Sequence, residues 1–215
     1  MNKLEKKLII FDMDGTLIDS GDAISNTINF VRTNIGLSTM PKEQLLQNIN
    51  NPDINSAEFF YGTSEFTPKQ TELFGQYYDK HCVSDIVIYD GIKDLLDKLS
   101  EKYVLCVATN ASKQFALKML ESVDILQYFK MVVGSMCVEK PKPAPDMLEL
   151  ICNKLNIKPK DAILIGDSLK DKQASEAYKM SCVLVNWGFS SHNKNGNCNQ
   201  NIIINSISQL NSLFI

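Results

Sequence analysis

Short apolar runs alternate with helical patterns along most of this 215-residue chain, and this alternation restricts the fold more than any other feature. Each run is compact, which is typical of a strand buried on both faces of a sheet. Between the runs lie apolar stripes with helical spacing, such as Ile92, Leu95 and Leu99. Strands that alternate with helices form βαβ units, so the sequence predicts an α/β fold with a parallel sheet and helices on both faces. The predicted strands are Lys7–Phe11, Tyr103–Ala108, Met131–Val133, Ala162–Ile165, Cys182–Val185 and Ile202–Ile204.

Residues 17–85 interrupt this alternation. A helical stripe begins at Ile24, another helix is predicted after Pro68, and no strand pattern lies between them. We therefore predict a core domain made of residues 1–16 and 86–215, with a separate all-helical domain inserted at residues 17–85.

Charge and composition exclude several classes of function. The net charge is −3 and Arg32 is the only arginine, so the chain lacks the basic surface that nucleic-acid binding requires. The first apolar run stops at Asp12, which is too short for a signal peptide, and no stretch is long enough to span a membrane. The six cysteines form no CxxC pair, and we expect reduced thiols in a cytoplasmic protein. The Asn-rich stretch His192–Asn201 is predicted to be a surface loop.

Two acidic turns follow predicted strands. Asp12 and Asp14 come directly after the first strand, and alternate residues of an extended segment project to the same side. Asp167 and Asp171 follow a later strand in the segment Gly-Asp-Ser-Leu-Lys-Asp. Because the carboxyl ends of parallel strands meet at one crevice, these acids should lie together. Magnesium is held by one or two carboxylates with phosphate oxygens and water, so Asp12, Asp14 and Asp167 predict a Mg²⁺ site.

Two further segments carry groups that bind anions. Thr109 and Asn110 follow the second predicted strand and precede a helix, where a hydroxyl and free backbone N–H groups can bind phosphate. Three prolines at alternate positions in the run 139–145 hold the backbone extended and present a lysine on a stiff segment.

The order and spacing of these four segments resemble the haloacid dehalogenase superfamily over nearly the whole chain. Phe-Asp-Met-Asp-Gly-Thr-Leu at 11–17 is highly specific for it, and Gly-Asp-Ser-x-x-Asp at 166–171 nearly so. The Lys-Pro-x-Pro-x-Pro segment and Asn186-Trp187-Gly188-Phe189 resemble the phosphoglycolate phosphatase and β-phosphoglucomutase-like branch. The resemblance implies a Rossmann-like core domain, and it identifies the helical insertion as a cap of the type that follows the first motif.

The resemblance also implies roles for the acidic residues. Asp12 would attack phosphorus and become an aspartyl phosphate. Asp14 would protonate the leaving oxygen and later deprotonate water, while its backbone carbonyl binds Mg²⁺. Asp167 would bind the metal directly. Asp171 and Ser168 would contact the metal ligands rather than the metal itself, or would act through a water molecule.

Phosphate binding is assigned in the same way. Thr109 and the backbone of Asn110 would bind the phosphoryl oxygens. Lys140 would pair with Asp12 and the phosphate; Lys142 competes for this role, but the family motif favours the lysine before the first proline. Arg32 is expected on a solvated helix face rather than as a clamp for a substrate carboxylate, and the histidines receive no role.

The predicted function is hydrolysis of a small phosphate monoester through an aspartyl phosphate, by a Mg²⁺-dependent phosphatase that resembles the phosphoglycolate phosphatases; the sequence leaves the substrate open. A sugar phosphomutase uses the same residues and remains an alternative. A 2-haloacid dehalogenase needs neither Asp14 nor a metal, and a signalling receiver lacks both Asp14 and the insertion. The expected partner is a small phosphorylated metabolite, with no nucleic acid or membrane, and the sequence leaves open whether the protein is a monomer or a dimer.

Overall fold

The computed structural model describes residues 6–190 and 202–215. Its strands are β1 (Leu8–Phe11), β2 (Ile18–Asp19), β3 (Val87–Ile88), β4 (Val104–Ala108), β5 (Met131–Val133), β6 (Ala162–Gly166), β7 (Ser181–Val185) and β8 (Ile202–Ile204). Six of them form one sheet in the order β5-β4-β1-β6-β7-β8, and each neighbouring pair is parallel. This is the doubly wound order of a Rossmann-like sheet, with the first strand at the centre. The predicted fold class is confirmed.

Helices of the core cover both faces of this sheet, and further helices make up the insertion. They are α1 (Gly21–Asn34), α2 (Lys42–Ile49), α3 (Ser56–Tyr61), α4 (Pro68–His81), α5 (Ile92–Ser100), α6 (Lys113–Ser122), α7 (Asp146–Leu155), α8 (Leu169–Ala177) and α9 (Ile207–Phe214). The sequence explains several of their ends. Thr67 begins α4 with a capping box, because its hydroxyl accepts from the Gln70 N–H while the Gln70 side chain accepts from the Thr67 N–H.

Strand β1 separates two apolar layers. Its residues are all fully buried, and Leu8 lies opposite Val104 of β4 and Ala162 of β6. Leu8 and Ile10 face a layer that includes residues of α7 and α8, whereas Ile9 and Phe11 face a layer with residues of α5, α6 and α9. Since both faces of the strand are covered, only apolar residues fit there, and the first polar side chain can appear only where the strand ends.

The insertion between β1 and β4 is helical, as expected. Helices α1 to α4 lie between β2 and β3, two short strands that pair antiparallel with Ile18 opposite Ile88. Sequence reasoning missed these two strands because two residues are too few to show periodicity. They lie at the two ends of the insertion and bring these ends together. That residues 17–85 behave as a separate domain stays a prediction.

Several remaining expectations concern individual residues. Cys82, Cys106, Cys152 and Cys182 are buried free thiols, and Cys137 is an exposed one. Cys198 and the predicted loop His192–Asn201 lie outside the described residues. Within the described ranges, none of the helices has the length and apolar character needed to cross a bilayer.

Candidate active site

The four predicted segments meet at the carboxyl edge of the sheet. Asp12 follows β1, Thr109 follows β4, and Asp167 follows β6. Because β1 lies between β4 and β6, the side chains after these strands surround one point. This is also the place where the strand order reverses, which is where open α/β sheets bind ligands.

A buried cluster of three carboxylates and one lysine forms the centre of the site. Carboxylate oxygens of Asp12, Asp167 and Asp171 all lie within 4.8 Å of one another. The Lys142 ammonium lies 2.7 Å from Asp12 Oδ1 and 2.6 Å from Asp171 Oδ1. One positive charge against three negative ones leaves an excess of two negative charges in a buried site. Such an excess requires bound protons or a cation.

The pKa shifts reflect this excess charge. Burial raises the pKa of Asp12 well above its usual value; Asp171 and Asp167 raise it further, and Lys142 opposes them. Burial and then the charge of Asp171 raise the pKa of Asp167 to about 7. For Lys142, burial alone would lower the pKa, but the charges of Asp12 and Asp171 outweigh it and raise that pKa. A divalent cation at the carboxylates would reverse these upward shifts, since it stabilises their ionised forms.

The donors of this cluster fit magnesium. Carboxylate oxygens are the ligands that this hard cation prefers, and the cluster supplies them together with the negative charge that a divalent ion offsets. Asp171 is held in place from two sides: Lys142 contacts its Oδ1, and Ser168 donates its N–H to Oδ2 at 3.1 Å and its hydroxyl to the same atom.

The prediction that Lys140 pairs with Asp12 is wrong, because Lys142 occupies that position. Lys142 is buried and Lys140 is exposed. Asn110 donates its side-chain N–H to the Lys142 carbonyl at 2.7 Å, which holds this backbone beside the end of β4. Asp146, the first residue of α7, accepts instead from the Lys140 N–H at 3.1 Å. Within this segment a lysine precedes a proline twice, two residues apart, so either lysine can be matched to the family motif. The contact of Lys140 with the start of α7 leaves Lys142 as the lysine that reaches Asp12.

Asp14 faces the same site from the other side. The Ser20 hydroxyl donates to Asp14 Oδ1 at 2.5 Å, and the Thr109 hydroxyl donates to Oδ2 at 3.3 Å. Burial raises the pKa of Asp14, and the two hydroxyls oppose this shift. Ser20 was not singled out from the sequence. It precedes α1, but its hydroxyl makes no capping bond there because it is turned to Asp14.

The segment 186–189 closes one side of the acidic cluster. Phe189 donates its N–H to Asp167 Oδ2 at 2.7 Å, and the Trp187 indole donates to the Thr16 carbonyl at 3.1 Å. A Cβ atom on Gly188 would lie 2.3 Å from the Gly15 carbonyl oxygen and 2.4 Å from Asp167 Oδ2. Only glycine allows this close approach, which explains the small residue at this position.

A small pocket of about 30 Å³ opens at Asp12. Asn50 and Lys170 line it as well, and neither was given a role from the sequence. Lys170 donates to the Ile49 carbonyl at 3.0 Å, so α8 contacts the end of α2 here. The lining residues are Asp12, Asp14, Asn50, Thr109, Asn110, Lys142, Ser168 and Lys170.

Apart from Lys140, the predicted site residues therefore lie together. Arg32 is not among them: it is half-buried and donates to the Ser38 carbonyl at 2.7 Å and to the Phe60 carbonyl. It thus links helix α1 to two other segments of the insertion, and the helix face that carries it is only partly solvated. His81 stacks on Tyr77 with ring centroids 4.2 Å apart.

Comparison with known proteins agrees with this geometry. Residues 9–185 match the model of the haloacid dehalogenase-like hydrolases. A phosphoglycolate phosphatase of Chromobacterium violaceum is 26% identical over an alignment of 218 positions, which covers 98% of this chain and 97% of that protein. A phosphoglycolate phosphatase of Psychrobacter arcticus is 30% identical over 200 residues, covering 87% and 86%. The crystal structure of a predicted phosphatase from Clostridium acetobutylicum has a TM-score of 0.86 at 27% identity, covering 96% of this chain and 97% of that one.

Proposed function

Since this chain belongs to the haloacid dehalogenase-like hydrolase family, we propose that it is a Mg²⁺-dependent phosphatase that hydrolyses small phosphate monoesters through an aspartyl phosphate on Asp12. The observation that carries the proposal is the buried Asp12 carboxylate, paired with Lys142 and grouped with Asp167 and Asp171 at the end of the central strand. The relatives named above are phosphatases, which favours transfer to water over transfer back to a sugar.

The first chemical step forms the aspartyl phosphate. A carboxylate oxygen of Asp12 attacks phosphorus, the bond from phosphorus to the leaving oxygen breaks, and that oxygen takes a proton from Asp14. Burial raises the pKa of Asp14, and this direction favours the role of a general acid, which must carry a proton when it meets the leaving oxygen. Thr109, Asn110 and Lys142 line the pocket and bind the phosphoryl oxygens.

The second step returns the enzyme to its starting state. Asp14 takes a proton from water, the water oxygen attacks phosphorus, and the bond from phosphorus to Asp12 breaks. Inorganic phosphate leaves, Asp12 is again a carboxylate and Asp14 is again protonated. Positioning and charge neutralisation are what phosphoryl transfer requires, and the residues of this pocket supply both.

Asp12 and Asp167 would hold Mg²⁺ through their carboxylates, and Asp14 through its backbone carbonyl. Asp171 and Ser168 would hold the Lys142 ammonium in position beside the acidic cluster, because Ser168 fixes Asp171 and Asp171 contacts Lys142. The bound ion supplies positive charge that offsets the charge of the phosphoryl oxygens and of the two carboxylates.

The partner is then a small phosphorylated metabolite. We place the protein in the cytoplasm, and the four buried thiols support this, because cysteines packed as small apolar side chains suit a reducing compartment.

Replacing Asp14 by Asn is expected to trap the phosphoenzyme. With p-nitrophenyl phosphate the leaving group needs no acid, so Asp12 should still be phosphorylated, but water is no longer activated for the second step. Steady-state turnover should fall at least about 10²-fold, the usual range for general acid–base catalysis. Rapid acid quench and mass spectrometry of the intact protein should find one added phosphoryl group, mapped to Asp12.

The double variant Asp12→Asn, Asp14→Asn provides the control and should carry no phosphate. A phosphoryl group on any other residue would show that Asp12 is not the nucleophile. Loss of turnover in the single variant without a phosphoenzyme under single-turnover conditions would refute the role of Asp14 in the second step.

Magnesium should both activate and stabilise the protein. A ligand that binds only the folded state at about 100 times its dissociation constant adds about 2.7 kcal/mol to the free energy of unfolding, so the melting temperature should rise with Mg²⁺. Asp167→Asn should weaken this response. Calcium should stabilise the fold but inhibit turnover, because it accepts bidentate carboxylates and can engage both oxygens of Asp12. Equal melting temperature and turnover in Mg²⁺ and in excess chelator would refute the metal assignment.

A further inference from the structure

A cavity of about 380 Å³ lies between the helical insertion and the core. It shares Asp14, Asn50, Asn110 and Lys170 with the small pocket at Asp12, so the two spaces adjoin. A phosphoryl group bound at Asp12 would therefore place its leaving group in this cavity.

Four of the residues that line this cavity in the described part of the chain are aromatic, and most of its exposed lining is apolar. Phe74 and Tyr78 of α4 stack with ring centroids 5.4 Å apart, and Tyr78 meets Phe115 of α6 edge-on at 5.1 Å. Ile24 and Phe189 line the cavity from other sides. Such a surface stabilises an apolar group by removing it from water, and ring faces favour a second ring.

Positive charge is scarce on this wall. Among the lining residues in the described part of the chain, Lys170 is the one cation, and its ammonium donates to the Ile49 carbonyl at 3.0 Å. Lys170 also lines the small pocket, where its positive charge would interact with the bound phosphoryl group. Arg32 is engaged by backbone carbonyls of the insertion. A carboxylate on the leaving group would thus be moved from water to an apolar wall without a cation of its own, which is unfavourable.

Gly75 keeps the cavity open. It lies in the interior of α4, where glycine is less favourable for a helix than alanine, and it lines the cavity. Apart from its chain neighbours and the adjacent backbone of α4, a Cβ atom built on it would have no described atom within 4 Å. A larger residue would therefore fit the helix and occupy the space that a leaving group needs.

We propose that the substrate is a phosphate monoester whose leaving group is uncharged and carries an apolar, ring-sized body, with Phe74, Gly75 and Phe115 selecting it. This rests on the phosphatase function proposed above and names the class of ester for the same site. The glycolate part of 2-phosphoglycolate has about five non-hydrogen atoms; at roughly 30 Å³ each, the share of a water molecule in the liquid, it would fill less than half of the cavity.

The test compares three alkyl esters in the presence of Mg²⁺: benzyl phosphate, ethyl phosphate and 2-phosphoglycolate. All three release an alkoxide, so differences in kcat/KM report the contacts of the leaving group rather than its acidity. We expect kcat/KM for benzyl phosphate to exceed kcat/KM for each of the other two esters by about 10- to 100-fold, because the enzyme buries one additional ring.

Two failures would be distinguishable. If the folded protein cleaves p-nitrophenyl phosphate but prefers 2-phosphoglycolate or ethyl phosphate over benzyl phosphate, the inference about the leaving group is overturned and the phosphatase function stands. If none of the four esters is cleaved, the proposed function itself is refuted.

A substitution at Gly75 tests whether this cavity makes the selection. Gly75→Leu should lower the ratio of kcat/KM for benzyl phosphate to that for ethyl phosphate by about tenfold, since the new side chain fills the space of the ring. Gln76→Leu, an exposed neighbour on the same helix, should leave the ratio at the wild-type value. Gly75→Ala, which favours the helix, should lower the ratio less and serves if the leucine variant does not fold. An unchanged ratio in a folded Gly75 variant would overturn the assignment.

Discussion

Replacing Asp12 by Asn should abolish turnover while leaving the protein folded. Loss of a nucleophile that forms a covalent intermediate is expected to lower kcat by about 10⁴-fold or more. Asn has nearly the same shape, and Lys142 keeps its contact with Asp171. The substitution also removes one of three crowded buried carboxylates, so in chelator the melting temperature should be no lower than that of the wild type.

These two readouts separate a chemical role from a structural one. Activity is measured with p-nitrophenyl phosphate in Mg²⁺, and stability by thermal unfolding in excess chelator. An inactive variant that also melts well below the wild type would show that Asp12 is required for the fold. A variant that retains turnover within about tenfold of the wild type would refute covalent catalysis at this residue.

Replacing Lys142 by Met should impair both activity and stability. The ammonium pairs with Asp12 and Asp171 in a buried site, and loss of one partner from such a pair typically costs about 3–5 kcal/mol. Turnover should fall by about 10³-fold, because the phosphoryl oxygens lose a buried cation. Urea unfolding in chelator and steady-state kinetics in Mg²⁺ measure the two effects.

The stability effect of Lys142→Met should depend on pH in a definite direction. The pKa of Asp12 is raised in the folded state and should rise further without the lysine, so the folded protein binds more protons than the unfolded one between about pH 4 and the raised pKa. Stability therefore falls as pH increases through that window. The difference between variant and wild type should be smaller at pH 5 than at pH 8.

Lys140→Met is the matched control. It removes the same charge two residues away, from an exposed side chain, and should leave the free energy of unfolding within about 0.5 kcal/mol of the wild type and kcat nearly unchanged. If Lys140→Met gives the larger loss of turnover, Lys140 is the lysine that the reaction requires, as the family motif predicts. The contact of Lys142 with Asp12 then does not serve catalysis.

Fold class and most of the site follow from local patterns in the sequence. A strand covered on both faces requires an unbroken apolar run, and six such runs predict the six strands of the sheet. The first polar residue after each of three central strands must then lie at the carboxyl edge, which places Asp12, Thr109 and Asp167 together without any coordinates.

Other features depended on contacts that local spacing does not record. Two lysines in overlapping Lys-Pro patterns look equivalent along the chain, and only the packing of α7 and the Asn110 contact distinguish Lys142 from Lys140. From its position before α1, Ser20 is expected to cap that helix. In the structure its hydroxyl donates to Asp14 instead. The aromatic residues of α4 have helical spacing, and this spacing fits a helix packed in a core as well as a helix that lines a cavity.

The sequence alone thus determined the sheet and the acidic motifs at its carboxyl edge, because each of these depends on residue type and on neighbours a few positions away. The tertiary structure decided which lysine holds Asp12, which residues join the pocket from the insertion, and that Gly75 faces open space beside two aromatic rings. These arise when α4 and the end of α2 pack against elements of the core such as α6 and α8, and residues so far apart in the chain leave no periodic signal of their contact.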